Sequence, residues 1–70
     1  MMPLTLLANG ETGEIKRVGG QDEVRKFLEN LGFVTGEQVR VVSSGGGNII
    51  VQVKDSRVAV SKGIAVMIMV

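Results

Sequence analysis

The chain has 70 residues, eight basic and seven acidic, for a net charge of +1, and it contains neither cysteine nor histidine. That length allows one domain, residues 1–70, and the missing residue types exclude a disulfide framework, the common transition-metal ligand sets and the usual catalytic triad. The charges are scattered, without the basic block of a dedicated nucleic-acid binder, and the longest apolar run, Ile64 to Val70, is far shorter than the roughly 20 residues that span a bilayer.

Met1 to Leu7 is an apolar lead that Pro3 keeps extended or irregular. Asn9-Gly10 and Thr12-Gly13 are turn signals, and Glu14 to Val18 reads as a strand ended by Gly19-Gly20. Gln21 to Leu31 is the clearest helix. Val24, Phe27, Leu28 and Leu31 recur at i, i+3, i+4 and i+7 and so share one face. Asp22 and Glu23 sit at the positive end of its dipole, and Asp22 with Lys26 and Arg25 with Glu29 are acid-to-base pairs. Gly32 stands where a left-handed residue would close the helix.

Val39 and Val41 alternate with polar neighbours and predict a half-buried strand. Ser43 to Asn48 reads as a flexible hairpin tip, and Ile49, Val51 and Val53 face inward on the return strand. A tight turn at Lys54 to Ser56 leads into a third strand, Arg57 to Val60, with Val58 and Val60 inward. Ser61 caps one helical turn containing Ile64 and Ala65, and Ile68 to Val70 closes the chain as a short strand. About five short strands must hide their edges. The expected fold is therefore mainly β: a small, strongly bent SH3-like barrel, with the helix at about 21–31 across one opening and a short C-terminal helical turn.

These same residues carry a resemblance. Pro3 to Leu7, Gly10 to Gly20, the helix with Leu31-Gly32, Gly36 and the Val39 strand, and Gly46 to Val70 together resemble the FeoA family of bacterial ferrous iron uptake, over nearly the whole chain. The related domain of iron-dependent repressors comes with a helix-turn-helix that this sequence lacks. The resemblance implies an SH3-like barrel and a non-enzymatic, cytoplasmic accessory protein. Its implied partner is the membrane GTPase transporter FeoB, which would hold it at the inner membrane without insertion of its own.

Other readings of the residues are weaker. Gly45-Gly46-Gly47 is followed by a strand, whereas a phosphate loop needs a helix N-terminus or a Lys-Ser/Thr pair. No cofactor is expected, and the dispersed carboxylates offer Fe(II) at most a weak site. The alternative function is a stand-alone nucleic-acid-binding module using Lys16, Arg17, Arg40, Lys54 and Arg57, but Tyr and Trp, the usual stacking platforms, are missing. The apolar surplus is more informative. Leu28, Leu31, Phe33, Val34, Val66, Met67 and Met69 are the expected partner-binding patch, for FeoB or for a second copy, with the methionine-rich end as an adaptable, sticky edge.

Overall fold

The computed structural model describes residues 1–70. A 3-10 turn (Leu4–Leu6) precedes β1 (Thr12–Glu14), β2 (Arg17–Val18), α1 (Asp22–Asn30), β3 (Gln38–Gly45), β4 (Asn48–Val53), β5 (Ser56–Ser61), α2 (Lys62–Ala65) and β6 (Ile68–Met69). The strands form a four-stranded antiparallel sheet in the order β1-β3-β4-β5 and a two-stranded sheet of β2 and β6. The mainly β architecture expected from the sequence is present, with six strands.

The predicted strand from Glu14 to Val18 is two strands in different sheets. Ile15 is the corner. Its backbone exchanges bonds with the β3 approach, Ile15 N–H to Glu37 O at 2.8 Å and Gly36 N–H to Ile15 O at 2.8 Å, and then Lys16 N–H turns to Met69 O at 2.8 Å. The side chain of Ile15 is fully buried at this corner, so one apolar residue anchors the transfer between sheets.

Two tight hairpins build the main sheet. Gly45 pairs with Asn48 across Gly46-Gly47, both at positive φ (61° and 82°), as a type I′ turn requires. Most of the segment read as a flexible tip is therefore strand, and only two glycines turn. Val53 pairs with Ser56 across Lys54-Asp55, and Lys54 takes a φ of 52°. The register shifts between Val41 and Ser43, a bulge at Val42 that bends β3.

Alternation then sorts the side chains. Val39, Val41, Ile49, Val51, Val53 and Val60 face inward and are buried with Leu4, Ile15, Leu28, Phe33, Ala65 and Ile68. Each such side chain contributes about 1.5–3 kcal/mol when fully removed from water, which is how a domain without disulfides holds together. No polar side chain is buried.

The chain termini close the fold. Met2 N–H donates to Val70 O at 2.8 Å, and Val70 N–H returns to Met2 O at 2.7 Å. Pro3 bridges Met69, so β6 is flanked on one side by the N-terminal segment and on the other by β2. The lead read as extended or irregular is extended at Pro3 and then turns once, dropping Leu4 into the core. Ser61 caps α2 as expected, its Oγ accepting from Ile64 N–H at 3.3 Å.

Candidate functional site

The end of α1 is locked by a Schellman motif. Gly32, at a φ of 107°, donates its N–H to Glu29 O at 2.9 Å, and Phe33 N–H donates to Leu28 O at 3.0 Å. This pattern brings Phe33 and Leu28, the two residues that bracket the turn, together into the core, and both have no accessible surface. Neither side chain is available to a partner, which corrects the expectation that they belong to a contact patch. The helical periodicity of Leu28 and the apolarity of Phe33 are the signature of the core itself.

The rest of the apolar face of α1 is graded. At about 100° per residue, Leu28 lies at one margin of the stripe and Phe27 about 100° away at the other. Leu28 is buried, Val24 and Leu31 are half-buried, and Phe27 is 54% exposed. The helix is therefore rolled so that the core covers only one side of the stripe. Met67 continues the apolar surface. Its Sδ stands over Gly20, 2.9 Å from where a Cβ would be, and Val24 Cγ1 is 3.5 Å from the same point.

The other residues of the expected patch divide by position. Val34 is half-buried in the loop after α1, and Val66 is 47% exposed at the end of α2. Met67 and Met69 are half-buried. The sticky open edge expected at the chain end is absent, because Met2, Pro3 and β2 occupy both sides of β6. Leu6, 66% exposed on the 3-10 turn, and Phe27 are apolar surface that the patch omitted. Phe27 shares its helix face with Val24, Leu28 and Leu31, and that shared face does not say which of the four the core covers. Periodicity gives the width of a stripe, whereas its roll against the core is set by tertiary contacts.

The polar groups are solvent-facing. Glu14 pairs with Lys16 at 3.5 Å, and Asp22 pairs with Arg25 one helical turn on, instead of with Lys26. Glu11 Oε1 accepts from Ala8 N–H at 2.6 Å and closes the turn before β1. No three carboxylates gather in a way that could hold a metal ion. A shallow trough on the main sheet is lined by Ser43, Ser44, Gly45, Asn48, Ile50 and Ala59, and it holds no ionisable group. Arg40, Gln52 and Arg57 form one cross-strand row beside it. No helix is long and apolar enough to cross a membrane.

Comparison with known proteins decides the family. The FeoA domain family matches residues 2–70. The chain belongs to the FeoA family. A curated relative from Methanocaldococcus jannaschii, provisionally named Fe(2+) transport protein A, is 29% identical over 70 residues, which cover all of this chain and 85% of that protein. The zinc-complexed FeoA of Stenotrophomonas maltophilia is described as a prokaryotic SH3 domain protein and a candidate activating factor of ferrous iron transport. It is 31% identical, with a TM-score of 0.86 over 99% of this chain and 88% of that one. FeoA from Chlorobium tepidum superposes with a TM-score of 0.90 at 26% identity, covering 97% of this chain and 67% of that one. A manganese-dependent transcriptional repressor shares the fold, with a TM-score of 0.86 at 20% identity, over 94% of this chain but only 38% of its own. The FeoA resemblance and the SH3-like barrel read from the sequence both stand.

Proposed function

We propose that this chain is a cytoplasmic accessory protein of ferrous iron uptake that docks on a FeoB-type membrane GTPase transporter and modulates it by contact, without catalysis of its own. The observation that carries the reading is the half-covered stripe of α1. Phe27 projects from a rigid, nine-residue helix, 54% exposed, with Val24, Leu31 and the Met67 surface beside it. A rigid aromatic side chain framed by half-buried aliphatics is the arrangement of an interface anchor. The polar neighbours Glu23, Arg25, Lys26 and Asn30 supply the polar rim that such anchors have.

The docking patch therefore comprises Val24, Phe27, Leu31 and Met67, with Val34, Val66 and Met69 at its periphery. A pull-down of FeoB by the purified protein, with and without guanine nucleotide, tests the reading. Nucleotide-dependent capture is expected. Absence of capture in every nucleotide state overturns it.

The nucleic-acid alternative finds less to stand on. The arginine row on the main sheet has no aromatic side chain beside it, since Phe33 is in the core and Phe27 is on α1. Stacking on single-stranded bases needs such side chains.

A further inference from the structure

The two edges of the main sheet are unequal. β1 is three residues long, and behind Gly13 the space is filled by Val70 and Leu7, 3.0 and 3.3 Å from where a Cβ would stand. β5 is six residues long and pairs only with β4. The ladder fixes which of its groups point outward. Val53 pairs with Ser56 around the tight turn, and Lys62 N–H donates to Gly47 O at 3.0 Å beyond the other end. In an antiparallel pair, hydrogen-bonded and non-bonded positions alternate. Ser56, Val58 and Val60 therefore bond to β4, and Arg57, Ala59 and Ser61 turn their N–H and C=O groups away from it. The backbone groups of Arg57 and Ala59 have no partner elsewhere in the chain, and both residues are exposed.

The side chains on this edge carry a sign. Arg40, Gln52 and Arg57 occupy one cross-strand row, and neither arginine has a carboxylate within salt-bridge distance. A strand added beside β5 would place its own residue next in that row, opposite Arg57. An acidic residue there would complete the row, and a basic one would repel it.

We propose that the free edge of β5 accepts an extended, acidic segment of a partner protein by strand addition, with Arg57 selecting the acid. Main-chain bonds to Arg57 and Ala59 supply the register, and the small side chain of Ala59 leaves room at the centre. A second copy of this chain fits less well. An antiparallel pair centred on Ala59 sets Arg57 opposite Ser61. The nearest acid, Asp55, reaches Arg57 only in a register that pairs residues 55–57, at the turn itself. The proposal is independent of α1 and of FeoB docking.

The test uses two blocked octapeptides of alternating Val and Thr, one carrying two Glu and the other two Lys at matching positions. Each is titrated into the isotope-labelled protein, with amide exchange and chemical shift read by NMR. Saturating Glu peptide is expected to slow exchange at Arg57 and Ala59 by about tenfold or more, and to bind about tenfold tighter than the Lys peptide. Arg57→Glu is expected to invert that preference on an unchanged fold, and Ala59→Pro to abolish binding by removing an outward N–H. Equal binding of both peptides, or none of either, overturns the proposal. So does concentration-dependent protection of these amides without peptide, which would assign the edge to a second copy.

Discussion

Leu28 and Phe27 are neighbours in sequence and members of one apolar stripe, yet one has no accessible surface and the other is more than half exposed. The Schellman turn at Gly32 pins Leu28 against Phe33 in the core, and nothing in the fold reaches across the helix to cover Phe27. The difference teaches that an amphipathic stripe can be wider than the core beneath it. The part in excess is available to something else.

Substitutions can break this contrast from either side. The largest effect is expected at the buried side. Phe33→Ala removes a fully buried aromatic and should cost about 3–5 kcal/mol. That is a large share of the roughly 5–15 kcal/mol that holds a small domain together. Urea denaturation followed by circular dichroism should show a midpoint shifted far downward or no folded baseline. Phe27→Ala should behave oppositely, with a stability change within about 1 kcal/mol and its main effect on binding.

The join between the two sides can be tested next. Gly32→Ala forces a Cβ onto a residue at a φ of 107°, while its nearest neighbours, the Lys54 stem and Val53, stay at ordinary contact distances of 3.6 Å and more. The cost is therefore conformational, about 1–2 kcal/mol, and should appear in the same denaturation experiment. The cap of α2 is worth less. Ser61→Ala loses one exposed bond at 3.3 Å and should cost about 0.5–1 kcal/mol. The smallest effect is expected at the solvent-facing pair of Asp22 and Arg25. Asp22→Asn should change stability by only a few tenths of a kcal/mol, and less in high salt.

Much of this arrangement was legible in the residues. The hairpins follow from Gly46-Gly47, the Lys54 to Ser56 turn and alternating valines, α1 from its 3.6-residue period, the end of α1 from Gly32 and the start of α2 from Ser61. What could not be read has a common physical origin in long-range pairing. Glu14 to Val18 looks like one strand because local pattern does not register that Ile15 is a corner between two partners. Met67 and Met69 look like a loose apolar end because nothing local says that Gly19 pairs with Met67 and that Pro3 returns to Met69. Leu28 and Phe33 were counted into the patch and Phe27 was left out of it, because the roll of α1 depends on the Gly32 turn and the sheet below it. The same SH3-like barrel results from all of these contacts, so the fold was easier to read than the patch on its surface.

The central claim is that the uncovered margin of α1, and not its buried one, meets FeoB. The most direct test is a calorimetric titration of FeoB with the native protein and with Phe27→Ala, after circular dichroism has shown both to be folded. An anchoring aromatic typically carries about 2 kcal/mol or more of binding energy, so the substitution is expected to weaken binding by about 30-fold. Equal affinity of the two proteins for FeoB would contradict the account and move the docking surface away from α1.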